Sequence, residues 1–96
     1  MSKKSMEGKQ SVEIVPERRI LLEYYLLSDV NEENQVFYGA EIHKTDAGSR
    51  EIESVKGITE SRKEAEELIA LLIRNQVTPI SMTEIIDDYI TEKVCS

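Results

Sequence analysis

The sequence predicts a small α+β domain, in which a three-stranded antiparallel sheet (β-β-β) is followed by two helices packed on one face. Two S-x-x-E capping boxes near the end of the chain, Ser61 to Glu64 and Ser81 to Glu84, mark two helix starts. In such a box the serine hydroxyl accepts from the third helical N–H, while the glutamate accepts from the N–H of the serine. Strand-like runs precede both boxes. Strands followed by helices are typical of the α+β class.

The strongest strand signal runs from Arg18 to Ser28, where apolar residues occupy both alternating sets of positions. A polar, turn-forming loop at 29–34 separates it from a second strand, Gln35 to Lys44, and together these strands predict an antiparallel hairpin. A loop containing Gly48, a residue suited to positive φ, leads to the third strand.

The third strand, Arg50 to Ile58, is less regular than the first two. Ile52 and Val55 fall on opposite faces under strict alternation. This predicts either a β-bulge or a bend around Gly57.

Both predicted helices have an apolar face. After the first capping box, apolar residues recur at i, i+3, i+4, i+7 and i+8, which indicates an amphipathic helix ending near Asn75. Pro79 prevents the helix from continuing through Thr78. The second helix is predicted from Ser81 to about Lys93, with Ile80 and Ile85 forming a hydrophobic staple at its start. The short connection makes the two helices neighbours.

The chain of 96 residues predicts one domain, at residues 12–96. Residues 1–11 carry three lysines and a single large apolar residue, Met6, so we expect them to form a disordered basic tail. The segment Val12 to Val15 is stopped by Pro16 and is at best an edge strand, because proline cannot donate to a ladder.

Composition excludes several classes of function. The net charge of −7 opposes binding to nucleic acid, whose recognition needs a clustered basic surface. The sequence has no run of 18 apolar residues and no secretory h-region, so we expect no membrane segment. The one cysteine cannot form an intrachain disulfide and favours a reducing compartment, so we expect a cytoplasmic protein.

Candidate catalytic groups are few. His43 is the one histidine, and Glu41 lies two residues away on the same strand face. No nucleophile accompanies them, so the favoured interpretation is a plain exposed pair. A dyad of Cys95 with His43 would require a thiol next to the chain end to be held in a fixed position over the sheet.

An acidic face of the second helix is the other candidate ligand site. It consists of Glu84, Asp87, Asp88 and Glu92, of which Glu84 and Asp88 have the i, i+4 spacing that can share a hard cation. The favoured interpretation is a solvated helix face, because no D-x-D-x-D-G loop occurs. Nucleotide, zinc and hydrolase motifs are also lacking. We therefore expect no cofactor, no metal and no catalytic residue, and a non-enzymatic protein.

The predicted strands carry more apolar residues than a two-layer fold would bury. If the helices cover one sheet face, the other should be polar. Here that other face carries Leu21, Tyr25, Leu27 and Phe37, and a patch of this size is normally covered. The candidate covers are the Val12 to Val15 segment, a second copy of the chain in a homodimer, or another protein.

The leading hypothesis is therefore a small acidic interaction or regulatory module that associates through this sheet face or an open sheet edge. The alternative is a small-molecule or divalent-metal binding protein that uses the acidic helix face or the His43–Glu41 pair.

Three segments also resemble a known group of proteins: EYYLL at 23–27, VFYGAEI at 36–42 and ELIALLIRNQVTPISMTEIIDDYI at 67–90. They are similar to a family of small uncharacterised proteins from clostridia and related Gram-positive bacteria, a domain of unknown function. The most distinctive part is the joint between the helices at 77–79. The resemblance implies a bacterial cytosolic origin, and it implies no activity, cofactor or catalytic residue.

Overall fold

The computed structural model describes residues 2–95, and the side chains of residues 2–92. Within this part of the chain, four antiparallel strands form one sheet in the order β1-β2-β3-β4, and the two helices pack on one face of it. The elements are β1 Lys3–Val15, β2 Arg18–Val30, β3 Val36–Asp46, β4 Ser49–Thr59, α1 Arg62–Arg74 and α2 Pro79–Cys95. The α+β class and the two helices on one face are confirmed.

The predicted number of three strands is wrong, because β1 is a fourth strand. The segment 12–15, expected to be at best an edge strand, does lie in an edge strand. That strand begins at Lys3, so it includes most of the residues that were expected to form a disordered tail. It pairs with β2 along its whole length, with register shifts between Met6 and Gly8 and between Glu13 and Val15. Backbone pairing does not depend on apolar side chains, which is why a composition argument missed it.

Each pair of neighbouring strands is joined by a short turn or loop. Pro16 and Glu17, with a φ of 72° at Glu17, fit the central positions of a type II turn between β1 and β2. Ala47 and Gly48 both have positive φ, 48° and 89°, as a type I′ hairpin turn requires. This second turn places Asp46 opposite Ser49 and thereby sets the register of β4.

The core lies between the sheet and the helices. The even-numbered residues of β2 and β3 point into it, and α1 packs mainly on β2 and β3 while α2 packs on β4 and β3. The buried core residues are Ile20, Leu22, Tyr24, Leu26, Ala40, Ile42, Ala65, Leu68, Ile69, Leu72, Val77, Met82 and Ile86.

A chain of hydrogen bonds through the core attaches β1 to the end of α1. The Tyr24 hydroxyl, which is fully buried, donates to the Val77 carbonyl oxygen at 2.9 Å and accepts from Gln10 Nε2 at 3.2 Å. Gln10 Nε2 also donates to the Ile73 carbonyl oxygen at 2.9 Å. A helix end leaves its last carbonyls without intrahelical partners. Two side chains of the sheet therefore satisfy carbonyls at the joint between the helices.

The irregularity predicted for the last strand is a bulge. Between the pairs Tyr38–Thr59 and Ala40–Val55, β4 contains two more residues than β3. Gly57 lies within it, with a φ of 64°. The β4 backbone approaches Gly39 so closely that a Cβ there would lie 2.2 Å from the Val55 carbonyl oxygen. Glycine is thus required opposite the bulge.

The first capping box is only half formed. The Ser61 hydroxyl accepts from the Glu64 N–H at 3.2 Å, as predicted. The N–H of Ser61 donates to the Thr59 hydroxyl rather than to Glu64, and Thr59 in turn donates to the Glu64 carboxylate at 3.0 Å. At its other end, α1 closes with the 6→1 bond from Val77 N–H to the Leu72 carbonyl that defines a Schellman motif.

The predicted start of the second helix at Ser81 is wrong. The Thr78 carbonyl already accepts from the Met82 N–H at 3.1 Å, so Thr78 is the N-cap and Pro79 the first helical residue. Proline favours this position because its missing N–H would have no partner there. Ile80 is 79% exposed and forms no hydrophobic staple. None of the described helices is long and apolar enough to cross a bilayer.

The hydrogen bonds of Tyr24 can be tested by removing its hydroxyl. We expect Tyr24→Phe to lower the free energy of unfolding by about 1–3 kcal/mol, because it leaves the buried Val77 carbonyl without this donor. Urea denaturation measures the loss. Tyr25→Phe is the matched control, since its hydroxyl donates to Glu23 at 3.3 Å on the other face, and it should cost less than about 0.5 kcal/mol. Equal losses in both variants would contradict this assignment.

Candidate functional site

The sheet face opposite the helices is the candidate site, and we call it the outer face. Strand pairing places on it the odd-numbered residues of β2 and β3 and their partners on β1 and β4. The described helices pack on the other face, and β1 extends the sheet rather than lying over it. The Val12 to Val15 segment is therefore not the cover that the sequence allowed for.

The four predicted interaction residues all lie on the outer face. Leu21, Tyr25 and Leu27 follow one another along β2, and Phe37 lies on β3 opposite Asp29, next to the pair formed by Leu27 and Gly39. Leu27 is buried, while the other three are half-buried. None of the four belongs to the core cluster under the helices.

Two further apolar residues, absent from the predicted set, enlarge this surface. Met6 of β1 pairs with Tyr25 and is 47% exposed, and Ile52 of β4 pairs with His43 and is 52% exposed. Apolar side chains thus reach across all four strands of the outer face.

The centre of the outer face is a polar network around Glu41 and His43. The sequence favoured an exposed pair, and this is wrong: Glu41 is 8% exposed and His43 is 5% exposed. His43 Nε2 lies 2.7 Å from Glu41 Oε2, and Lys4 Nζ lies 2.6 Å from the same oxygen. The Ser54 hydroxyl donates to Glu41 Oε1 at 2.5 Å. Side chains from β1 and β4 therefore bury the pair within the face.

The hydrogen bonds of His43 define its tautomer. An Arg50 nitrogen lies 2.7 Å from His43 Nδ1, and because a guanidinium can only donate, Nδ1 must accept. The proton then sits on Nε2 and is donated to Glu41. The Tyr25 ring packs against the imidazole with centroids 4.6 Å apart, and Lys4 Nζ lies 5.4 Å from the Tyr25 centroid. Both imidazole nitrogens are thus already engaged.

Electrostatics favour the ionised form of Glu41. Burial alone would raise the pKa of Glu41, but the hydrogen bonds from Lys4, Ser54 and His43 outweigh it and lower the pKa from 4.5 to about 2. Burial, with a smaller contribution from Glu23, raises the pKa of the neighbouring Tyr25. Glu41 is therefore ionised at neutral pH.

A concavity of about 290 Å³ lies at one end of the outer face. Leu27 forms its apolar part, and the Ser2 hydroxyl donates to Asp29 at its rim. Its remaining lining residues are Lys3, Lys4, Glu41 and Lys56.

The other candidate groups do not come together. Glu84, Asp87, Asp88 and Glu92 are all exposed on α2. Among residues 2–92, no three histidine, cysteine, aspartate or glutamate side chains are grouped so that they could hold a metal ion. The side chain of Cys95, considered above for a dyad with His43, lies outside the described residues.

Sequence reasoning missed Lys4, Arg50 and Ser54 as parts of the network. Lys4 was assigned to a disordered tail. The other two follow from the turn at Ala47–Gly48, because a two-residue turn fixes Glu41 opposite Ser54 and leaves Arg50 two residues before Ile52 on the same face. That register signal was present in the sequence.

A protein-family model described as "Family of unknown function (DUF6514)" matches residues 3–92 of the chain. The chain belongs to this family. The matched region begins at the first residue of β1, so it includes all four strands and both capped helix starts. Neither the curated proteins nor the solved structures contain a significant match to the chain.

The lowered pKa of Glu41 predicts a specific pH dependence of stability. A carboxyl whose pKa falls from 4.5 to about 2 on folding stabilises the protein fully above pH 4.5, and this contribution is lost as the pH falls toward 2. We expect Glu41→Gln to cost at most about 3 kcal/mol at pH 7, an upper bound set by the size of the shift. The difference from wild type should shrink between about pH 5 and pH 2.

Urea denaturation at several pH values measures this difference. Glu53→Gln, an exposed glutamate on β4, is the matched control and should follow wild type at every pH. A destabilisation by Glu41→Gln that stays constant down to pH 2 would show that the carboxylate charge does not stabilise the fold.

Proposed function

We propose that this protein is a non-enzymatic interaction module that uses the outer face as its docking surface. The observation that supports this proposal is the placement of six apolar side chains on a sheet face over which no described segment of the chain lies. They are Met6, Leu21, Tyr25, Leu27, Phe37 and Ile52. Contiguous apolar surfaces of several hundred Å² on a small protein usually mark an interaction site.

The composition of the outer face also supports protein binding. Tyrosine, phenylalanine and methionine are enriched at protein interfaces relative to the rest of protein surfaces. An arginine, Arg50, borders them. A central polar network surrounded by apolar residues can fix the orientation of a partner, since its hydrogen-bonding groups are held in place.

The state of His43 argues against catalysis at this site. A general base needs a free nitrogen directed at the substrate. Here Nδ1 accepts from Arg50 and Nε2 donates to Glu41. For the same reason we favour protein docking over the alternative of a small-molecule or metal site at the His43–Glu41 pair. The proposal places the module in the cytoplasm, where a lone cysteine stays reduced.

Affinity purification from the source cells with the chain as bait tests this proposal. The test variant is Phe37→Lys/Ile52→Lys, which puts two charges on the outer face. The control is Ile80→Lys, which makes the same change at an exposed apolar residue of α2. We expect wild type and Ile80→Lys to retain the same proteins. These can include tagged or untagged copies of the chain itself. The double variant should retain none of these proteins.

Circular dichroism confirms that all three baits are folded. If a folded double variant retains the same proteins as wild type, the outer face is not the docking surface.

A further inference from the structure

We infer that the occupant of the outer face is a second copy of this chain, stacked on it face to face. This inference rests on the proposed docking role of the outer face and names the partner. It is carried by the charge balance of that face, by its area and by the satisfied state of its polar groups.

Charge distribution separates the outer face from the rest of the molecule. Strand pairing places four basic and four acidic residues on it, whereas the chain as a whole has a net charge of −7. The basic residues are Lys4, Lys9, Arg19 and Arg50, and the acidic ones are Glu13, Glu23, Asp29 and Glu41. Lys56, in the adjacent bulge, adds one positive charge. A balanced face does not select a strongly acidic or basic partner, and it is compatible with its own copy.

Much of this charge is already paired within the face. Lys4 contacts Glu41 at 2.6 Å, and Arg19 contacts Glu13 at 3.9 Å. Two copies would therefore meet as largely neutral surfaces. In a two-fold interface each patch meets its own copy, and a largely neutral patch is not repelled by that copy.

The area of the outer face suits a stable dimer. Ten paired residues on a strand span about 34 Å, and four strands lie about 4.8 Å apart, so the face covers roughly 650 Å². Two copies would bury about 1,300 Å² in total, within the range of stable interfaces. Two sheets stacked in this way form a sandwich, a common arrangement of antiparallel sheets.

Burying the polar network under a second copy should cost little desolvation free energy. Desolvation is expensive for polar groups that lose water without gaining a partner. Glu41 and His43 are already more than nine-tenths buried, and each has its hydrogen bonds in place before any partner arrives. A second copy would displace little water from them. The favourable free energy from burying Phe37, Ile52 and their apolar neighbours is then not offset by a large desolvation cost.

The net negative charge of each copy predicts the effect of salt. The helices face away from the proposed interface, on the far side of a molecule whose thinnest dimension is 18 Å. The screening length falls from about 10 Å at about 0.1 M salt to about 3 Å at about 1 M, so added salt weakens the repulsion between the negative charges of the two copies. Salt should therefore strengthen this dimer, unlike an interface held by opposite charges.

Analytical ultracentrifugation of the full chain with a thiol reductant tests the inference. At about 100 µM, well above the micromolar Kd expected for an interface of this size, we expect twice the chain mass of 11.0 kDa. We expect the dimer Kd to fall several-fold between about 50 mM and about 500 mM salt. Ile80→Lys should dimerise like wild type, and Phe37→Lys/Ile52→Lys should be a folded monomer.

A mixing experiment shows whether the outer face meets its own copy. Phe37→Glu/Ile52→Glu should also be monomeric alone, because like charges would meet across the interface. Mixed in equal amounts, the lysine and glutamate variants should form a dimer. Wild type that stays monomeric at all salt concentrations, or variants that dimerise as well as wild type, would overturn the inference. If wild type is monomeric but retains another protein in the purification test that Phe37→Lys/Ile52→Lys loses, the proposed function stands and only the self-partner is wrong.

Discussion

The hydrogen bonds of Tyr24 and Gln10 fix the position of β1 in the fold. Tyr24 lies at the centre of the sheet and bonds the joint between the helices, while Gln10 bonds both Tyr24 and the last turn of α1. Gly8, two residues earlier, lies against Ile73 so closely that a Cβ would be 2.5 Å from Ile73 Cδ1. These contacts hold β1 at the sheet edge, on the side of the helices. A strand held there cannot fold across the opposite face.

The composition of the outer face follows from this constraint. A two-layer protein with long strands has two sheet faces and only enough helix to cover one. The second face here combines a pre-formed network around Glu41 with apolar residues on every strand. Lys4 reaches that network because β1 begins as early as Lys3. β1 thus does not cover the outer face, but its Lys4 completes the polar network at the centre of that face.

Sequence patterns predicted the parts of the fold that depend on side-chain periodicity. The two central strands, α1 and the bulge near Gly57 were all readable in this way. β1 was not, because its stability comes from backbone pairing and a few specific contacts such as that of Gln10 with Ile73. The start of α2 was misplaced because two capping signals overlap, and Pro79 at the first helical position prevails over Ser81. Strand alternation was enough to predict the four apolar site residues. Predicting the polar network would have required the register between strands.

Amide hydrogen exchange across residues 3–13 tests the central claim most directly. If β1 is held in the sheet, the amides that bond to β2 should be protected to a degree approaching those of β2 itself, in alternation with exposed ones. Uniformly fast exchange over residues 3–11 would contradict the account. The N-terminal segment would then be free to lie over the outer face, and that face would need no partner.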